Sequence, residues 1–92
     1  MANQATAVDL GGVASKVISG NPATLRGFWV VTSGAATVTI YDNTSASGTV
    51  LAQWTTAGAA DKEFAWPDGL RCTTGVFIVA SAGTLTGQVA IG

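Results

Sequence analysis

The chain has no histidine, one cysteine and few charges: Asp, Glu, Lys and Arg make up 10% of its 92 residues. Each shortage excludes a class of chemistry. Without histidine, no side chain titrates near neutrality unless its surroundings shift it, so the usual general base is missing. A lone Cys72 forms no intrachain disulfide and no metal-ligating pair, and it reads as a small apolar filler. The four cations, Lys16, Arg26, Lys62 and Arg71, are scattered, and the net charge is -1. That leaves no basic stripe to release counterions from a phosphate backbone, so no nucleic-acid partner is expected. No apolar run approaches the length of a membrane span, and Met1 to Leu10 lacks the basic start and apolar stretch of a signal peptide. No membrane partner is expected, and synthesis and folding are placed in the cytoplasm.

What is present is apolar and small. Hydrophobic residues make up 48% of the sequence, which argues against disorder. A chain of this size forms one domain that buries only about 63% of its unfolded surface, near the lower limit for folding alone. Ordinary soluble domains carry about 25% charged residues. A surface of Thr, Ser, Ala and Gly suits lasting contact with a neighbouring chain better than free diffusion.

Turn formers recur at short intervals: Gly20-Asn21-Pro22, Ser33-Gly34, Asp42 to Gly48, Ala57-Gly58, Pro67-Asp68-Gly69, Thr74-Gly75 and Ala82-Gly83. β-Branched and aromatic runs lie between them, and almost nowhere does the sequence show helical periodicity. Strands are expected over about Val13–Ser19, Ala23–Thr32, Ala36–Tyr41, Thr49–Thr55, Lys62–Trp66, Leu70–Thr73, Gly75–Ser81 and Leu85–Ile91. These eight short strands predict an all-β fold, a compact antiparallel sandwich of jelly-roll type.

In the second strand, alternation puts Leu25, Gly27, Trp29 and Val31 on one face and Arg26, Phe28, Val30 and Thr32 on the other. Both faces are apolar, so cover on both sides is expected. In the third, Val38 and Ile40 point inward. Pro67-Asp68-Gly69 reads as a turn between two strands. Residues 1–12 carry Val8 and Leu10 as their only large apolar side chains and are expected to form an extended arm outside a sandwich domain of residues 13–92.

Catalytic constellations are missing: there is no phosphate-binding loop, no nucleophile elbow and no cysteine pair. The five acids are Asp9, Asp42, Asp61, Glu63 and Asp68, and most fall in turns, where Asp bonds the local backbone. Spacing alone leaves a paired-carboxylate hydrolase open. Asp42, Asn43 and Asp61 offer oxygen ligands without a regular calcium spacing, so turn closure is the preferred reading. No enzyme activity, metal or cofactor is expected. Core packing is the expected role of Trp29, Trp54 and Trp66. A tryptophan on the outer face would instead anchor a neighbouring subunit or stack on a sugar ring.

Three stretches carry a resemblance. Leu25-Arg26-Gly27-Phe28-Trp29-Val30 comes first, then Val38 through Leu51 with its loop Tyr41-Asp42-Asn43-Thr44-Ser45-Ala46-Ser47-Gly48-Thr49, then Gly69-Leu70-Arg71-Cys72-Thr73-Thr74-Gly75-Val76-Phe77-Ile78-Val79. Over about residues 20–92 the chain resembles small β-sandwich virion proteins of tailed bacteriophages. Cys72 and Val76 depart from the pattern, standing where an aromatic or aliphatic residue is expected. The resemblance implies a structural component of the particle, foremost a head decoration or cement protein. It would be located in the virion, self-associate as a homo-oligomer and bind the major capsid protein or another virion protein. Val8, Leu10, Trp29, Tyr41 and Asn43 are the expected contact residues, with the arm reaching the shell or a sibling subunit. The alternatives are a carbohydrate-binding or host-adhesion module, using an exposed Trp or Tyr41 beside Asn43 and Gln53, and a neck or tail subunit.

Overall fold

The computed structural model describes residues 6–92 and consists of strands and connecting loops. The strands are β1 (Thr6–Asp9), β2 (Ser15–Ser19), β3 (Ala23–Thr32), β4 (Ala36–Asp42), β5 (Thr49–Thr56), β6 (Ala60–Cys72), β7 (Val76–Ala80) and β8 (Leu85–Ile91). They form two four-stranded sheets, β1-β8-β3-β6 and β2-β7-β4-β5, and every pairing is antiparallel. The order has a simple origin. β1 pairs with β8, β2 with β7, β3 with β6 and β4 with β5, so the chain is one long hairpin folded at the β4–β5 loop. Rolling that hairpin brings β3 beside β8 and β4 beside β7, which closes a jelly roll.

Between the sheets lies one core. Leu10, Leu25, Val30, Val38, Ile40, Cys72, Val76, Ile78, Leu85 and Val89 have no exposed surface. The expected inward Val38 and Ile40 are therefore found, and Cys72 is packed apolar filler. Burial pushes the Cys72 thiol pKa up, with a smaller contribution in the same direction from the negative charge of Asp42.

Three expectations are corrected. The described part of the predicted arm, residues 6–12, is built into the sandwich: β1 is an edge strand on β8, and Leu10 is fully buried in the core. Short strands with few apolar residues look weak in isolation, but here pairing along β8 supplies the missing stability. Residues 1–5 of that arm lie outside the described residues.

The alternation expected along β3 is broken by a bulge. Leu25 pairs with Ile91 and Gly27 with Ala90, so Arg26 is an extra residue. The phase flips there, placing Leu25 and then Phe28, Val30 and Thr32 inward while Trp29 turns out, 44% exposed. The outer face of β3 is consequently open rather than covered.

Pro67-Asp68-Gly69 does not reverse the chain. β6 continues through it, and the pairs Leu25–Leu70 and Gly27–Ala65 leave Trp66 to Gly69 as an excursion opposite Arg26. Gly69 takes a φ of 77°, the left-handed conformation for which glycine is suited. The turn chemistry is present, but hydrogen bonding to β3 on both sides resumes the same strand.

Candidate interaction surfaces

Residues directly opposite one another in an antiparallel pair share a face, so the registers determine what each sheet shows to solvent. On the β2-β7-β4-β5 sheet, Val17 lies opposite Phe77, Phe77 opposite Tyr41, and Tyr41 opposite Val50. These four side chains make an apolar row across every strand of the sheet, about 15 Å from end to end at the usual strand spacing. Val17 is 44% and Val50 49% exposed, and Phe77 and Tyr41 are half-buried between them. The next row is Ser15, Val79, Thr39 and Gln53, followed by Thr37 and Thr55. Gln53 donates to the Thr39 hydroxyl at 2.9 Å, and Thr37 and Thr55 share a hydrogen bond at 3.1 Å. No side chain in these rows carries a charge at neutral pH.

The opposite face differs in kind. On the β1-β8-β3-β6 sheet one row reads Asp9, Gln88, Trp29 and Glu63, and the next places Thr86, Val31 and Asp61 side by side. The Trp29 indole N–H points to the Asp61 carboxylate at 3.4 Å. Beside it, Arg26, Trp29, Glu63 and Gln88 line a depression of about 390 Å³. Acidic groups thus gather on one side of the sandwich and are missing from the outward strand positions of the other.

A third surface lies where the two sheets part. β5 and β6 are the edge strands of their sheets on the same side of the molecule, and the layer between them is aromatic. Phe28 stacks on Trp54 with ring centres 4.9 Å apart and planes within 3°, joining the sheets. Phe64 meets Trp66 edge-on at 4.8 Å, and Trp66 lies 5.9 Å from Phe28. Phe28, Leu51, Trp54, Lys62, Phe64 and Trp66 border a cleft of about 290 Å³. Phe64 is 51% exposed although it is paired with the buried Phe28 and shares its inward face, because no strand covers this edge.

The five contact residues read from the sequence have separate fates. Tyr41 stands in the uncharged row and Trp29 on the acidic face, each with accessible surface. Val8 is half-buried against the core. Leu10 is fully buried and has no surface to offer a partner, so that assignment is corrected. Asn43 closes its own loop: its side-chain oxygen accepts from the Thr44 N–H at 2.7 Å, and its amide donates to Ser47 O at 3.0 Å and Ser47 Oγ at 3.1 Å. Phe64, Val50 and Val17 were missed. Their exposure depends on bulges and on edge position, which alternation does not report.

Asp42 is more than a local turn former. Its carboxylate accepts from the Thr73 N–H at 3.0 Å, the Thr73 hydroxyl at 3.2 Å, the Thr74 N–H at 2.9 Å and the Gly75 N–H at 3.3 Å. The Thr74 amide, then that of Thr73, holds its pKa below the ordinary value. This ties the end of β4 to the β6–β7 loop across the sequence. Among the described residues no group of three or more Cys, Asp or Glu is placed to hold a metal ion. Comparison of the chain with protein-family models, curated proteins and solved structures gives no match.

Proposed function

We propose that this is a non-enzymatic structural protein of a bacteriophage particle, a decoration or cement protein that docks on the capsid shell through the outer face of the β2-β7-β4-β5 sheet. The observation that carries the reading is the uncharged, four-strand-wide face centred on Tyr41 and Phe77, set against an acidic opposite face. Interface centres are depleted in charge and enriched in aromatic residues, and Tyr supplies area with a hydroxyl that finds a partner at the rim. A cement protein needs a surface repeated by symmetry and no reactive group. The jelly roll serves viral capsid and lectin domains alike, so the fold is compatible with the reading without choosing it.

The test has two parts. Mass spectrometry of purified particles is expected to give copies of this chain in a fixed ratio to the major shell subunit, on the order of hundreds per particle. About a dozen copies would move it to the neck, tail or a fibre, and its absence would remove the virion reading. Tyr41→Asp, which places a charge at the centre of the row, is expected to lower retention on shells at least tenfold while the fold persists. Unchanged retention would sink this face as the contact.

The aromatic cleft favours one second reading, a carbohydrate-binding module. Exposed Phe64 and half-buried Trp66 offer stacking surfaces beside Lys62 and Gln53. Quenching of tryptophan fluorescence by a host glycan supports that reading, and an unchanged spectrum across a glycan panel counts against it.

A further inference from the structure

We propose that β6 pairs antiparallel with β6 of a second copy, about a two-fold axis passing through Phe64. The inference deepens the self-association in the reading above and names its surface. β6 is the longest strand, spanning 13 residues, and it lies at the edge of its sheet. Ala60 to Ala65 are exposed in succession, so both faces of this stretch as well as its outer edge meet solvent. An uncovered edge presents backbone N–H and C=O groups ready to pair with another strand.

The charge pattern selects the occupant and the register. Opposed side chains share a face, so a strand pairing with its own copy about an axis perpendicular to the sheet must be centred on a residue, never between two. Centring on Asp61, Lys62 or Glu63 sets that charge against itself, and the Lys62 register adds Asp61 against Glu63. Centring on Ala60 runs off the start of the strand, and centring on Ala65 carries the ladder into the Trp66–Gly69 excursion. The Phe64 register sets no charge against itself and reaches the excursion only at its outermost pair, whereas the Ala65 register meets it at the first pair from the axis. Phe64 then meets Phe64, Glu63 meets Ala65, and Lys62 meets Trp66, a cation beside an indole.

This pairing covers the half-exposed Phe64 and the open side of the aromatic cleft, and it joins two four-stranded sheets into one continuous sheet. The excursion, with Pro67 lacking an N–H, ends the ladder. A two-fold contact uses the same edge on both copies and closes at the dimer.

Sedimentation of the purified chain over a range up to about 1 mM, where even a weak self-association is populated, is the test. The wild type is expected to pass from monomer to dimer. Phe64→Lys and Phe64→Glu are each expected to remain monomeric, and mixing them in equal amounts is expected to restore the dimer. Only a residue that meets its own copy converts two repelling variants into a complementary pair. Circular dichroism checks that both variants stay folded. A double variant, Glu63→Cys with Ala65→Cys, keeps Phe64 intact and is expected to yield a disulfide-linked dimer on mild oxidation, the native Cys72 being buried.

A wild type that stays monomeric overturns the inference, as does a dimer that neither Phe64 variant weakens or one that mixing fails to restore. A dimer abolished by Tyr41→Asp would assign the contact to the uncharged face and overturn it too. No particle is present in these measurements. A dimer in a chain that never binds shells leaves the β6 contact standing while the virion reading falls.

Discussion

Asp42 and Thr32 do at single positions what a turn-former count misses. Thr32 is 2% exposed, and its hydroxyl lies 3.3 Å from the Thr56 hydroxyl, 3.2 Å from Ala60 O and 3.3 Å from the Ala60 N–H. Thr56 in turn accepts from the Ala36 N–H at 3.2 Å and lies 3.1 Å from Gly34 O. This pair of threonines knots the ends of β3, β4, β5 and β6 together. Asp42 does the same at the end of β4 with three backbone amides from residues 73–75. Its folded pKa lies below 3.8, so its stabilising contribution is full well above that value and is lost as pH falls through the folded pKa. Asp42→Asn is expected to lower stability at pH 7 by about 1 kcal/mol, a modest cost because the site is partly solvated. The gap from wild type should close in acid, as read by urea unfolding at a series of pH values. A constant gap would show that the ionised form is not what the amides hold.

At the scale of the element, the edge strands carry the unexpected roles. β1 has four residues, and what secures it is its ladder with β8 together with Leu10 just beyond its end. The Leu10 N–H also donates to Gly87 O at 3.0 Å. Leu10→Ala is expected to destabilise by about 2–5 kcal/mol, the usual range for emptying a buried leucine site. Denaturant unfolding checks this, and a loss below about 1 kcal/mol would return the segment to the status of a loose arm. β8 depends on a glycine for its approach to β3. Gly87 has a φ of 100°, and a β-carbon there would run into the carbonyl of Trp29. In the same sheet the bulge at Arg26 on β3 and the excursion at Trp66–Gly69 on β6 face each other, so one irregularity accommodates the other.

The whole molecule is two-faced. Acids collect over β1, β8, β3 and β6, while the outward rows of β2, β7, β4 and β5 are neutral, and the open edge between β5 and β6 is aromatic. Docking through a neutral face has little Coulombic energy to screen. Retention on shells is therefore expected to change less than about threefold between 0.05 and 0.5 M salt, whereas charge-driven attachment weakens steeply over that range. Co-sedimentation with particles at graded salt reads the difference, and release at the higher salt would redirect attention to the acidic face.

Much of the architecture was legible from residue types alone. The runs that form β2 to β5, β7 and β8, the limits of Ala23–Thr32 and Leu85–Ile91, the inward Val38 and Ile40 and the filler role of Cys72 follow from side-chain alternation and turn chemistry, which are local, whereas β1 and the continuity of β6 do not. Of the expected contact residues, Tyr41 and Trp29 have accessible surface, whereas Leu10 is fully buried and Asn43 is bonded into its own loop. What the tertiary structure alone decided is which neighbour each strand has, and with it every property that depends on register. A one-residue bulge exchanges the faces of Phe28 and Trp29, pairing with β8 turns a weak segment into β1, and edge position leaves Phe64 uncovered. Alternation has a period of two residues and no memory of partners, so it reports that a side chain has a face without reporting what lies across from it.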